Sequence, residues 1–292
     1  MPFSQPAKKR VNRLSIKKTA VNCFHILRGA FLTFSNAKGP EASASLAYYT
    51  VFSIFPLLIV IVSIGSYLLD PTIIEQELMK ALHQLFPVSQ DFLVSNVEQL
   101  LKVRGSISII SFLGLIWSST AVFTTLLRNI NSAWPAAAPH SFIKMRLASL
   151  GILGCLAVLM ILSSFSITIK NIIINLGIFI NLGFLDSFFF STIFTLVIPF
   201  LFRIAIFFGL YYLVPQIHIK KGSALMGSVL TALIWQAVTA GLNSYLGMRL
   251  TQYQIIYGSV AKIIILLAWI YFTSWIVLFG AHLTSSIDRH TG

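Results

Sequence analysis

The chain has 292 residues, of which 57% are hydrophobic and only 10% are charged, and its mean hydropathy is +0.85. A soluble domain carries roughly 25% charged residues, so this composition excludes a water-soluble globular protein. The formal net charge of +13 is of a size that often indicates nucleic-acid binding. The positions of the charges along the chain give it another explanation.

Six stretches are apolar over roughly the 20 residues that a transmembrane helix requires. They predict an all-α integral membrane protein built as a six-transmembrane-helix bundle. A further apolar stretch, 172–185, is interrupted by Asn and Gly and is interpreted as a short interfacial or re-entrant segment. The predicted spans are 42–69, 107–127, 147–169, 188–213, 223–246 and 259–285.

The segments between and beyond these spans have their own patterns. Segment 1–41 is basic, and apolar residues at near-helical spacing within 19–37 predict an N-terminal amphipathic helix that lies on the membrane surface. Loop 70–106 alternates acidic and apolar positions, which predicts short amphipathic helices in an extracytoplasmic loop. Residues 286–292 are interpreted as a cytoplasmic tail.

The basic residues give the predicted bundle an orientation. If the N-terminus is cytoplasmic, fourteen Lys and Arg fall in cytoplasmic segments and five in outer segments, whereas six of the eight acids lie outside. This asymmetry follows the positive-inside rule and places both termini in the cytoplasm. The net charge then reflects topology and attraction to anionic headgroups. Membrane lipids are therefore the expected partners, and no nucleic acid is expected.

Ten short motifs follow one another along the chain. They are ASLAYY (44–49), FPL (55–57), WSS (117–119), RNIN (128–131), YLVP (212–215), GSALMG (222–227), LIWQ (233–236), YGS (257–259), WIY (269–271) and GAHL (280–283). In order and spacing they resemble the YihY/BrkB family of bacterial inner-membrane proteins, which has long carried a ribonuclease BN-like label. The resemblance implies a six-helix inner-membrane protein with both termini in the cytoplasm. It implies no settled activity, since envelope, lipid-related and transport roles have been suggested for the family.

Two cations fall inside predicted spans. Arg203 lies near the middle of the fourth span, where a charge costs roughly 2.5–3.5 kcal/mol. Such an arginine contacts an anion or lipid phosphate in a polar cleft, bonds carbonyls freed by Pro199, or extends inward to the cytoplasmic headgroups. Lys262 lies in the first turns of the sixth span, where the helix dipole disfavours a cation. It either contacts an outer acid or a lipid phosphate, or extends to the outer headgroups.

Polar side chains at helical spacing mark two of the spans. Ser45, Tyr49 and Ser53 recur every four residues in the first span, and Trp235 and Gln236 lie in the fifth. Such faces line a polar cavity or join helices by hydrogen bonds, and the pattern fits both interpretations equally. In the first case they line, with the two cations, a binding cleft for an anionic lipid or solute.

Two further pairs of residues are candidates. Arg128 and Asn131 end the second span and form either a gate or headgroup site, or a helix C-terminal cap, since Arg suits the negative end of the dipole and Asn a turn. Pro56 and Pro199 lie near the middles of the first and fourth spans. Helix breaks in corresponding positions of two halves point to transporters with inverted repeats.

The sequence holds no recognisable catalytic pattern. The six His are scattered and most acids lie in the outer loops, so no catalytic residue, metal site or cofactor is predicted. The residues therefore favour a transporter or a lipid-handling, flippase-like protein, and they do not favour an enzyme. One alternative is a non-transporting envelope scaffold that docks through loop 70–106. A third is a membrane-bound tRNA-processing ribonuclease, as the family label suggests.

Overall fold

A computed structural model describes residues 24–68, 121–137, 196–257 and 260–291 of the chain. These ranges form helices joined by turns and contain no strand, which confirms the all-α prediction for them. The helices are α1 (24–36), α2 (Gly39–Leu68), α3 (121–131), α4 (Ile198–Leu213), α5 (Lys221–Tyr257) and α6 (Ala261–Thr291).

Four of these helices match predicted spans. α2, α4, α5 and α6 coincide with the first, fourth, fifth and sixth spans, and α5 continues past the predicted end to Tyr257. By length and composition, α6 and the 221–242 part of α5 are apolar enough to cross a membrane. The third span, loop 70–106, the stretch 172–185, most of the second span and the start of the fourth lie outside the described residues.

A sharp turn separates α1 from α2. Lys38 adopts a left-handed backbone with φ of 55°, and its amide donates to the Ser35 carbonyl at 3.0 Å. Pro40 then occupies the first turn of α2, where a missing amide hydrogen costs nothing. A Cβ at Gly39 would overlap the ring of Phe34. Glycine at that position therefore lets α1 fold back tightly on the start of α2.

α6 is the central helix of the described bundle. It packs against α2 and α5, while α5 also packs against α4. Every residue of the stretch 278–287 is buried, and burial on all sides of a helix is typical of the interior of a bundle. The hydroxyl of Tyr211 on α4 reaches α6 as well, and donates to the Val277 carbonyl at 2.8 Å.

The α5–α6 contact depends on two glycines. A Cβ at Gly227 would overlap Thr284, and a Cβ at Gly280 would overlap both Thr231 and the hydroxyl of Tyr211. The threonine hydroxyls donate within their own helices, Thr284 to the Gly280 carbonyl and Thr231 to the Gly227 carbonyl, each at 2.8 Å. The helices therefore meet by close van der Waals packing, which small residues allow inside membranes.

One end of the bundle gathers α1, the end of α3, the α4–α5 connection and the C-terminal part of α6. The hydrogen bonds that join them run from Ser286 Oγ to the Ile26 carbonyl (2.9 Å), from Ser285 Oγ to the Ala133 carbonyl (2.6 Å), from the Gln216 amide to Asn131 Oδ1 (3.0 Å) and from the Lys220 amide to Asp288 Oδ1 (3.3 Å). The predicted alternating topology requires these chain positions on one side of the membrane, and the structure brings them together.

Phe34 anchors α1 to α6. It is 1% exposed, and its ring lies 4.9 Å from that of Trp275, 5.8 Å from that of Phe279 and 5.6 Å from that of His282 between centroids. Thr33 Oγ1 lies 3.2 Å from His282 Nδ1 and adds a polar contact. α1 is therefore docked on α6 through one face.

The opposite face of α1 is apolar and exposed. An amphipathic helix at a membrane surface presents such a face to the lipid and keeps basic residues at the headgroups; Arg28 on α1 is exposed as well. The position of α1 on the membrane surface stays a prediction. The exposed apolar side chains are Phe24, Leu27, Phe31 and Leu32.

We predict that Gly280→Ala destabilises the bundle, because the new methyl group overlaps Thr231 and Tyr211 at the tightest helix crossing. Overpacking of this kind costs about 1–3 kcal/mol. Thermal unfolding in detergent measures the effect. Gly209→Ala is the matched control, since a Cβ there meets nothing within 4 Å. Equal melting temperatures for the two variants would contradict the tight crossing.

We also predict that Phe34→Ala releases α1 from α6. Truncating a buried Phe costs about 3–5 kcal/mol, so tryptic cleavage after Arg28 should become faster by more than about tenfold, the equivalent of 1.4 kcal/mol. Phe31→Ala is the control on the same helix, because Phe31 is 56% exposed and its rate should match that of the wild type. If the two variants are cleaved equally fast, Phe34 is not the anchor.

Candidate functional site

The structure brings two of the predicted site residues into direct contact. Arg203 on α4 donates a hydrogen bond from Nη1 to Oε1 of Gln236 on α5 at 2.5 Å. Arg203 is half-buried and Gln236 is exposed. A charged arginine is therefore held by a neutral amide at the α4–α5 contact.

Aromatic side chains form the wall beside this pair. Trp235 is half-buried, packs against the core, and has its ring centroid 5.8 Å from that of Phe207. Phe207 in turn stacks on Tyr211 at 5.9 Å, and both are buried. Arg203 shares its face of α4 with Phe207, one turn away, so that a buried aromatic layer closes the site toward the bundle interior.

The pair lies deep within the helices. At 1.5 Å per residue, Arg203 is about 15 Å along the axis from the end of α4 at Leu213, and Gln236 is about 22 Å from the start of α5 at Lys221. The hydrocarbon core of a bilayer is about 30 Å thick. If α4 ends and α5 begins near one membrane surface, the guanidinium lies close to the middle of the bilayer.

The polar face of α2 is arranged differently. The hydroxyl of Ser45 donates to the Glu41 carbonyl at 3.0 Å and that of Ser53 to the Tyr49 carbonyl at 2.7 Å, so both are satisfied within their own helix. Ser45 is exposed, Tyr49 half-buried and Ser53 buried. α2 packs against α6, and no contact that the structure describes joins these three side chains to Arg203 or Gln236.

Lys262 lies at the N-terminal end of α6, opposite the end at which α6 contacts α1 and the α4–α5 connection. It is the second residue of that helix and is half-buried. Two acids, Glu41 and Asp288, occur in the described ranges, at the start of α2 and near the end of α6, and neither pairs with it. Compensation of its charge by an outer acid or a lipid phosphate stays a prediction.

Arg128 and Asn131 lie where α3 ends. The Arg128 carbonyl accepts from the Ser132 amide at 3.0 Å, which closes the last turn, and the Arg128 side chain is exposed. Asn131 is buried, and its Oδ1 accepts from the amide of Gln216 at 3.0 Å. Asn131 thus holds the α4–α5 connection against α3, and both the gate and the helix-cap interpretation stay predictions.

The two prolines differ in their surroundings. Pro56 lies inside α2, which continues as a helix from Gly39 to Leu68. Pro199 is in the first turn of α4 and follows a wider π-helical turn at 196–197. Turns of this kind are frequent at functional sites, and this one lies nearly two turns before Arg203.

Sequence reasoning missed one unusual group. Trp134 is 4% exposed, and its Nε1 is a buried nitrogen for which the structure records no hydrogen-bond partner. Native proteins rarely leave such a donor unpaired. From the sequence, a tryptophan just past the end of a span is expected at the membrane interface. Only the structure shows that Trp134 is buried.

The described residues contain no group of three or more His, Cys, Asp or Glu that could hold a metal ion. Within those ranges, the chemistry that the site offers is therefore hydrogen bonding by a guanidinium and an amide. Both groups are donors suited to the oxygen atoms of a phosphate or carboxylate.

Several known proteins are similar to this chain over most of its length. A UPF0761 membrane protein of Vibrio atlanticus is 27% identical over 283 residues, which are 95% of this chain and 87% of that protein. The UPF0761 membrane protein PA0951 of Pseudomonas aeruginosa is 28% identical over 267 residues, 87% of this chain and 61% of that protein. The ribonuclease-like protein YfkH of Bacillus subtilis is 24% identical over 269 residues, 90% of this chain and 95% of that protein.

No solved structure matches the chain. The family model described as virulence factor BrkB matches residues 30–292, which confirms the resemblance seen in the motifs. The relatives and the apolar helices agree on a membrane location. The chain is a membrane protein and belongs to the virulence factor BrkB family.

Proposed function

We propose that this membrane protein is a transporter or a lipid-handling protein that binds the anionic group of a lipid or solute at Arg203. The observation that carries the proposal is the hydrogen bond between Arg203 and a neutral partner, Gln236. The same proposal places the protein in a bacterial inner membrane as a multi-pass protein. The shared end of the bundle, with the exposed cations Arg28, Lys38, Arg128 and Lys221, then faces the cytoplasm.

The charge balance of the membrane region supports the proposal. None of the eight Asp and Glu falls inside a predicted span, so the predicted topology gives the charge of Arg203 no acidic partner at its own depth. A charge near the bilayer centre is costly and almost always contacts a partner or a polar cavity. A ligand anion supplies the missing negative charge.

The geometry of the pair suits such a ligand. The guanidinium has five N–H donors in a planar fork, and one of them is used on Gln236 Oε1. The amide of Gln236 fixes the plane of this fork and carries two further donors on Nε2. A phosphate or carboxylate that approaches the pair is therefore met by several donors, among them the bidentate edge that arginine offers to such anions.

The name of YfkH raises the possibility of ribonuclease activity for its relatives. Metal-dependent hydrolysis requires clustered ligands that hold the metal and activate water. The intramembrane position of Arg203 favours binding of an anion within the bilayer over cleavage of an aqueous RNA. We therefore propose the transport or lipid-handling role in place of a nuclease.

Native mass spectrometry of the protein released gently from its membrane tests the proposal. The wild type should retain an anionic adduct, Arg203→Lys should retain part of it, and Arg203→Ala should lose it. Loss of a charge-assisted hydrogen bond costs about 1.5–3 kcal/mol, so affinity should fall by about 10- to 150-fold.

Arg28→Ala is the matched control, because it removes an exposed cation of α1 outside the site. Its adduct should match that of the wild type. A folded Arg203→Ala variant that keeps the full adduct and full function in a complementation test would overturn the assignment. Loss of function on deletion of loop 70–106, with Arg203 dispensable, would favour the envelope scaffold.

A further inference from the structure

We propose that the anionic group at Arg203 belongs to a membrane lipid, and that the lipid reaches it sideways from the bilayer through the groove between α4 and α5. This inference rests on the proposed function and narrows it from any anion to a lipid headgroup. Leu233 and Ala240 on α5 flank Gln236 and form the mouth of this groove.

α5 is much more exposed than α6. Only about a fifth of its apolar stretch 221–242 is buried, against half of α6. Apolar side chains that a membrane helix leaves exposed contact lipid tails. α5 therefore presents a broad face to the hydrocarbon.

Gln236 lies on that exposed face of α5. Leu225, Leu233 and Ala240 lie three, four or eleven residues from Gln236, which puts all of them on one side of the helix. Each of them is exposed, Leu233 by 51%. The amide of Gln236 thus opens toward lipid along a row of apolar side chains, and it faces away from the buried aromatic layer.

Arg203 lies between a buried and an exposed face of α4. Its own face is closed by the buried Phe207 and Leu210, and the opposite face carries the exposed Leu201 and Ala205. The guanidinium therefore lies in the seam between α4 and α5, and the exposed side of that seam is the one where Gln236 stands. Acyl chains that lie along Leu233 and Leu225 would bring a headgroup phosphate to the two donors.

The pair also lies far from the membrane surface. The pair lies about 15–22 Å along the helices from the end where α4 stops and α5 starts, within a hydrocarbon core about 30 Å thick. A phosphate at this depth has left the interface at which lipid headgroups normally lie. A lipid bound there has its headgroup between the two leaflets, so the site would hold an intermediate of headgroup translocation.

The test uses the full-length protein in vesicles of phosphatidylethanolamine and phosphatidylglycerol that contain a fluorescent phosphatidylglycerol. Transfer between leaflets is followed by dithionite quenching, and uptake of inorganic phosphate is measured in parallel. Leu233→Trp should slow lipid transfer by about tenfold or more, because an indole fills the mouth of the groove. Arg203→Gln should slow it as well.

Leu201→Trp is the matched control. Leu201 is 56% exposed, it lies at the depth of Arg203, and it points away from the groove on the opposite face of α4. Its transfer rate should stay within about twofold of the wild type, since an exposed substitution far from a special feature has little effect. An equal slowing by both tryptophans would overturn the groove, because the effect would then be unspecific.

The remaining outcomes separate this inference from the proposed function. If Arg203→Gln abolishes phosphate uptake while Leu233→Trp leaves lipid transfer unchanged, the anion site stands and the lipid assignment is wrong. If Arg203→Gln changes neither readout, the proposed function itself fails. Absence of lipid transfer in the wild type, or a change of oligomeric state on Leu233→Trp, would also overturn the inference, the latter by showing that a second copy covers this face.

Discussion

The close approach of α5 and α6 is the constraint on which the described bundle depends. Inside a membrane the hydrophobic effect does not drive helices together, so their association rests on packing and on hydrogen bonds. Gly227 and Gly280 remove the side chains that would keep the two backbones apart. Thr231 and Thr284 fill the space with methyl groups while their hydroxyls bond to their own helices. The two backbones can therefore approach closely at this crossing, and the threonine hydroxyls there all have hydrogen-bond partners.

Because this crossing positions α6, it also positions the segments that bond to the C-terminal end of α6. Ser285 and Ser286 donate to carbonyls of the turn after α3 and of α1, and Asp288 accepts from the α4–α5 connection. The connection in turn sets how α4 lies along α5. The contact between Arg203 and Gln236 is therefore a consequence of this end of the bundle, although it lies well along the helices from it.

The sequence predicted the described helices well, because a long apolar run in a chain with so few charges can only be a buried or membrane helix. It ended the fifth span near Leu246, where polar residues such as Arg249 begin, yet α5 continues to Tyr257, since a helix does not have to stay apolar beyond the bilayer. It could not predict that Arg203 meets Gln236. Residues 33 positions apart are brought together by the α4–α5 connection, whose geometry no local pattern specifies.

The serines of α2 also show how much the sequence could not predict about side-chain contacts. Ser45 and Ser53 recur at helical spacing, and that spacing fits a polar lining, a helix–helix bond or a bond to the carbonyl four residues earlier. The structure has the third arrangement, which leaves these hydroxyls with little to offer a ligand. Polar residues at helical spacing on a membrane helix therefore predict that the residues share a face, but they do not predict which hydrogen bonds that face makes.

Arg203 differs from these serines because its side chain bonds to another helix, at Gln236 on α5. A carboxylate partner would have neutralised the charge and removed the reason for any ligand to bind. A neutral amide orients the guanidinium and leaves its charge in place, so the local field stays positive in a region of low dielectric, where electrostatic interactions are strong. Under the proposed function, Gln236 in place of an acid lets the α4–α5 seam bind an anion, whereas an acid at that position would form an ion pair with Arg203.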